Sequence, residues 1–140
     1  MTFPGPIVHL STAKRWRGGE QQALYLAQGL KSRGIDTLMI APPGSPMAEE
    51  GHETGVRSAE VRSRGTWDIL AMLKIARLLR RENAALIHAH DAHAVTLAAI
   101  AGRLGGARRV CTRRVDFKIN SAWKYRWGME RTICISNAIR

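Results

Sequence analysis

Short apolar runs alternate along this chain with longer segments whose apolar residues recur at helical spacing. Ile7 to Leu10, Thr37 to Ala41, Leu86 to Ala89, Arg109 to Thr112 and Thr132 to Ile135 read as strands, and Val56 to Val61 as a weaker one at a sheet edge. Between the first two runs, Ala23, Leu24, Ala27 and Leu30 mark a helix opening at Glu20. Lys31 and Arg33 stand in its last turn, Gly34 fits the left-handed position beyond the cap, and Ile35 can fold back on Leu30. Pro42-Pro43-Gly44 ends the second strand, and Ser45 caps a short helix through Glu50. Thr66 or Asp68 caps a helix reaching about Arg81. Its expected buried stripe is Ile69, Met72, Leu73, Ala76 and Leu79, with Lys74, Arg77 and Arg81 on the outer face. An Ala-rich helix spans Ala92 to Leu104 and stops at Gly105-Gly106, and Ser121 to Gly128 is a short helix. Ser136-Asn137 looks like the cap of one more.

The strand candidates are continuous apolar runs, and strand alternates with helix throughout. A strand that is apolar on both sides is covered on both sides, which is the habit of parallel sheets. The pattern therefore predicts an α/β fold, a three-layer sandwich around a mostly parallel sheet of about six strands.

Composition narrows this picture in few places. A chain of 140 residues with 45% hydrophobic and 24% charged side chains is one globular domain and not a disordered segment. No apolar run approaches the roughly 20 residues that cross a bilayer, and Met1 to Leu10 lacks the basic and apolar regions of a signal peptide. Cys111 and Cys134 fall inside strands, without metal or redox spacing, and read as small core residues. Charge changes the picture more. Lys and Arg number 22 against 11 acids, a net +11, which calls for an anionic partner: nucleic acid, a phosphate-bearing substrate or an acidic membrane surface.

Three groups could carry chemistry. Gly18-Gly19 at a helix start frees backbone N–H groups for an anion, with Lys14, Arg15 and Arg17 in the same loop. Neither the three-glycine dinucleotide fingerprint nor a Walker lysine is present. The second group is Leu86 to His93, where His88 and His90 share one face of a strand end, Asp91 follows, and His93 opens the next helix. Two readings stand. As a metal site, the three histidines and Asp91 would hold zinc; His-x-His-Asp-x-His is similar to the metallo-β-lactamase signature, but Ala92 stands where that signature needs its Asp. In the other, His88 packs in the core, His90 presents a polar tip to a cleft, and Asp91 caps the helix. The third group is the basic loop Arg113 to Lys118, whose Arg113 and Arg114 would lie on the same sheet edge as Gly19 and His90. Trp67, Trp123 and Trp127 read as packing, although Phe117, Trp123, Tyr125 and Trp127, interleaved with Arg114, Lys118, Lys124 and Arg126, could also stack on single-stranded nucleic acid.

Several stretches together resemble the N-terminal half of family 4 glycosyltransferases. They are Ile-Val-His-Leu-Ser-Thr (residues 7–12), Gly-Gly-Glu-Gln-Gln-Ala-Leu (18–24), Ala-Pro-Pro-Gly-Ser-Pro (41–46), Ile-His-Ala-His-Asp (87–91) and Ile-Cys-Ile-Ser-Asn-Ala-Ile-Arg (133–140). The resemblance implies a Rossmann-like domain of the glycosyltransferase-B arrangement, residues 1–140 being the acceptor-binding half and the C-terminal donor domain lying outside this chain. It implies retaining transfer of a sugar, of hexosyltransferase type, from a nucleotide diphosphate sugar to a glycolipid or polysaccharide acceptor, with no metal and no cofactor. His90 and Asp91 match the reaction centre, Gly18 and Gly19 the glycine loop at the donor diphosphate, and Lys14, Arg15, Arg113 and Arg114 the acceptor side. Expected partners are the absent donor domain, an anionic or glycolipid acceptor and an anionic membrane surface. The expected setting is cell-envelope polysaccharide synthesis, cytoplasmic and peripheral on the inner face of the membrane. The chain alone is expected to be inactive. A basic α/β nucleic-acid binder and a His-cluster metal hydrolase are the alternatives; no nucleic-acid-reading motif supports the first.

Overall fold

The computed structural model describes residues 3–114 and 121–135. Along them run β1 (Ile7–Leu10), α1 (Gly18–Ser32), β2 (Thr37–Ala41), α2 (Pro46–Glu53), β3 (Arg57–Glu60), α3 (Ile69–Arg81), β4 (Leu86–Ala89), α4 (Ala92–Gly105), β5 (Arg108–Arg113), α5 (Ala122–Arg126) and β6 (Arg131–Cys134). The sheet order is β3-β2-β1-β4-β5-β6, and every pairing is parallel.

Strand alternation divides the interior into two cores. Val8, Leu10, Leu38, Ile40, Ile87 and Ala89 pack with the buried stripes of α3 and α4. Met39 and Ala41 pack with Ala23, Leu24 and Ala27 of α1 and with Met47 and Ala48 of α2. The sheet is thus covered on both sides, as continuous apolar strands require. His9 pairs in register with Met39 and His88, so it shares their side of the sheet.

Local signals set the element ends. The Glu20 carboxylate accepts the Arg17 backbone N–H at 3.0 Å, so Glu20 is the third helical residue and α1 opens at Gly18, two residues before the expected start. At its other end Gly34, with φ +78°, and Ile35 donate to the carbonyls of Lys31 and Leu30, a Schellman closure. Ser45 and Asp68 cap α2 and α3 by accepting the N–H groups of Ala48 and Ala71. β3 lies at the sheet edge, where the weak Val56 to Val61 signal put it.

Three expectations need correction. The buried stripe of α3 is Ala71, Met72, Ile75, Ala76, Leu78 and Leu79, whereas Ile69 and Leu73 face outward. Trp67, Trp123 and Trp127 are exposed and not core residues. Arg113 ends β5 instead of opening the loop after it. The expected mostly parallel sheet is present, and all its pairings are parallel. The expected loop positions Phe117 and Lys118, and the cap at Ser136-Asn137, lie outside the described residues.

Candidate functional site

The sheet order turns at β1, which carries β2 on one side and β4 on the other. Loops leaving neighbouring strands in opposite directions open a crevice at the C-terminal edge, the usual ligand position in open α/β sheets. The β1–α1 loop, the start of α1 and the β4–α4 junction meet there.

Parallel register places His9 beside His88, and His90, just beyond β4, adds a third ring. Ring centroids lie 5.6 Å apart for His9 and His88, 5.2 Å for His9 and His90, and 4.1 Å for His88 and His90. All three rings are buried. Burial drives the His9 imidazole down to about 3 and His88 to about 4, with His88 and Arg114 respectively adding to the effect. His90 is lowered well below the usual imidazole range by burial first, then by its two histidine neighbours and Arg114. The cluster is therefore neutral at neutral pH.

Arg114 orders the protons of this cluster. Its Nη2 lies 3.2 Å from His90 Nδ1, its Nη1 donates to the His90 carbonyl at 3.1 Å, and its Nε donates to Gln22 Oε1 at 3.1 Å. A guanidinium can only donate, so His90 Nδ1 accepts and the neutral ring carries its proton on Nε2. That Nε2 lies 3.0 Å from His9 Nδ1, which must then accept, leaving the His9 proton on Nε2. His9 Nε2 is buried without a hydrogen-bond partner among the described residues. His88 Nε2 is bonded to the Thr112 hydroxyl at 2.6 Å.

The three imidazoles also form a conceivable metal-donor set, with one ligand atom from each lying within 4.8 Å of the others. The hydrogen bonds oppose that use. Binding through His90 Nε2 would displace its proton to Nδ1, against the Arg114 donor, and would put a dication beside a guanidinium.

Asp91 caps α4 and ties it to the β1 loop. Its Oδ1 accepts from the Ala94 N–H at 2.8 Å and the Thr12 hydroxyl at 2.6 Å. Its Oδ2 accepts from the Thr12 N–H at 2.7 Å and the Ser11 hydroxyl at 3.4 Å. Gly18 has open space where a side chain would stand, whereas a Cβ on Gly19 would lie 3.6 Å from Arg114 Cδ. The helix start, Arg114 and His90 thus form one continuous wall.

The cations do not surround a single crevice, as the sequence suggested. Arg114 lies across the β4 side. Lys14 turns the other way and lines an open cavity of about 510 Å³ with Pro42, Pro43, Gly44, Ser45, Arg62, Ser63 and Arg64. Arg15 is exposed on the β1–α1 loop, and Arg113 is half-buried at the end of β5. His9, Arg62 and Arg64 were missed from sequence. A polar His9 inside an apolar strand was the one available signal; Arg62 and Arg64 follow a weak strand and gave none.

An all-parallel six-stranded sheet with a crevice at its switch point defines an open α/β domain. The sequence profile of glycosyltransferase family 4 matches residues 16–140, and the chain belongs to that family. Its fold is shared with glycosyltransferases of the B type. Anabaena Alr3699/HepE in complex with UDP is 15% identical, with a TM-score of 0.76 over 96% of this chain and 38% of that one. A glycosyltransferase from Rickettsia africae ESF-5 is 20% identical, TM-score 0.71, over 95% of this chain and 37% of its own. Acinetobacter baumannii MurG is 13% identical, TM-score 0.76, over 98% and 43%. The chain therefore spans less than half the length of these structures. No curated protein matches its sequence.

Proposed function

We propose that the chain is the acceptor-binding half of a retaining glycosyltransferase that moves a sugar from a nucleotide diphosphate sugar to an anionic glycolipid or polysaccharide acceptor at the cytoplasmic face of a membrane. Family membership and one juxtaposition support this reading: the glycine start of α1 and His90 stand on either side of Arg114 in the switch-point crevice. Gly18 and Gly19 leave the first N–H groups of α1 open to a donor diphosphate. Arg114 supplies a cation beside them. An anion that draws its guanidinium away frees His90 Nδ1 as an acceptor, so His90 meets a sugar hydroxyl only in the loaded site. Asp91, with both carboxylate oxygens engaged by Ser11, Thr12 and Ala94, acts as a positioning residue for His90 and the β1 loop. The cavity holding Lys14, Arg62 and Arg64 takes the acid group of the acceptor, with the capped start of α2 at its wall.

Titration of the amide NMR spectrum with inorganic diphosphate tests the assignment. Shifts are expected at Gly18, Gly19 and Gln22, and at Ser45 and Arg64. Lys14→Gln or Arg62→Gln is expected to weaken the second set about tenfold, the value of one charge-assisted hydrogen bond. Shifts confined to other surfaces, or the same affinity in both variants, would overturn it.

A further inference from the structure

Three loops that leave neighbouring strands close on the basic cavity of about 510 Å³, on the β2 side of the switch point. The loop after β1 brings Lys14, the loop after β2 brings Gly44 and Ser45, and the loop after β3 brings Arg62 and Arg64. Like charges gathered in one wall repel, so they favour folding only where counter-charges are near. Neither the Lys14 nor the Arg62 side chain has an ion-pair or hydrogen-bond partner among the described residues. Asp68 offsets part of the Arg64 charge, but its carboxylate is engaged by backbone. It accepts the Arg64 N–H at 2.8 Å and the Ala71 N–H at 3.0 Å as the cap of α3. Three cations against one carboxylate leave an excess of two positive charges.

Uncharged donors add to this excess. Ser45 is 4% exposed, and its side-chain oxygen accepts the Ala48 N–H. Its hydroxyl proton has no acceptor among the described residues and is left for a ligand in the cavity. Gly44, at φ +66°, has open space where a side chain would stand, so a ligand can approach the turn closely. The start of α2 adds its positive dipole end.

These groups discriminate among acids. A carboxylate or a phosphodiester carries one negative charge and leaves the cavity positive. A phosphomonoester carries close to two at neutral pH and presents three oxygens, one to each converging loop. Strand spacing narrows the class further. β2 and β4 flank β1, so the loop after β2 and His90 stand two strand spacings apart, roughly 10 Å. A sugar ring fills that gap when its phosphate and its accepting hydroxyl lie at opposite ends.

We propose that the basic cavity binds a phosphomonoester on the sugar that accepts transfer, and that this sugar reaches from Lys14, Ser45, Arg62 and Arg64 to His90. The proposal rests on the acceptor-binding reading and specifies the acid group within it.

NMR titration of the chain at about pH 7.5, followed at the Gly44, Ser45 and Arg64 amides, compares glucose 6-phosphate, inorganic phosphate, dimethyl phosphate and glucuronate. Dimethyl phosphate carries the single charge of a diester lipid headgroup, and glucuronate that of a sugar acid. Glucose 6-phosphate is expected to bind about tenfold more tightly than either, since it brings a second charge. It is also expected to bind more tightly than inorganic phosphate and to shift the His90 amide, which inorganic phosphate leaves in place. Lys14→Gln with Arg62→Gln is expected to shrink the tenfold preference to about threefold or less, because one cation remains. Arg33→Gln removes an exposed cation at the other end of α1 and is expected to keep the preference, which separates the cavity from net charge. Unchanged amide spectra away from the cavity check that the variants fold. Glucuronate or dimethyl phosphate binding as tightly as glucose 6-phosphate overturns the proposal while leaving an acid-binding cavity for the acceptor. So does a parent-like preference in Lys14→Gln with Arg62→Gln. Inorganic phosphate matching glucose 6-phosphate overturns the sugar bridge to His90. Absence of shifts at the cavity with every probe overturns the proposal together with the acceptor placement beneath it.

Discussion

A buried histidine is stable only as the neutral ring, and this chain buries three in contact. Folding holds His9 and His88 at about 3 and about 4, below the 6.5 of an unconstrained imidazole. Between these values the unfolded chain binds protons that the folded chain refuses. Stability is then complete above pH 6.5 and falls as pH falls toward about 4. Each histidine is expected to remove about 1 kcal/mol per pH unit within that window. Urea midpoints between pH 6.5 and about 5, above the range where carboxylates titrate, should decline accordingly; a flat midpoint there would mean that the three rings are hydrated or already charged. The same residues show where reading the sequence succeeds. Asp91 was recognisable as a helix cap because a strand end followed by an N-cap is a local pattern. His9 was not, since its neighbour His88 lies 79 positions along the chain and only strand register brings them together.

The helices show a different limit. Caps and stops were legible residue by residue: Ser45, Asp68, Asp91 and Gly34 hold the positions expected of them, because each acts on backbone groups within a few residues. The buried side of α3 was not legible. Its sequence has more apolar residues than one stripe needs, so two overlapping stripes satisfy the same period, and packing against α4 selects Ile75 and Leu78 over Ile69 and Leu73. Truncation separates the two sets. Ile75→Ala removes a fully buried side chain and is expected to cost about 3 kcal/mol. Leu70→Ala is expected to change stability by less than about 0.5 kcal/mol. Chemical denaturation of both variants decides the matter, and a costly Leu70→Ala would show that the outward face of α3 is covered after all.

At the scale of the whole molecule, the parallel sheet gathers the candidate groups at one edge. All strands point their C-terminal ends the same way, so every loop that leaves them shares that edge. The glycine start of α1, the histidine cluster, the basic cavity and the exposed indoles border it through neighbouring loops. The matched glycosyltransferase structures extend well beyond the part aligned here. Sugar transfer in the proposed reading needs donor contacts that this domain does not provide, so the purified 140-residue chain is expected to release no nucleotide from nucleotide diphosphate sugars. Turnover above the uncatalysed rate, followed by coupled detection of the released nucleotide, would refute the division of labour between two domains.

The sequence by itself determined the alternation of elements, the parallel sheet, the capped helix ends and the basic character of the domain. Periodicity, capping and net charge are properties of neighbouring residues or of simple sums, and no third dimension is required to read them. Only the tertiary structure decided that His9 joins His90, that Lys14 parts from Arg114 to meet Arg62 and Arg64, and that the tryptophans face outward. Each of those outcomes depends on strand register, loop course or which of two helix stripes is buried. Such choices are settled by contacts between distant segments, and the energies involved are not written in any single stretch of the chain.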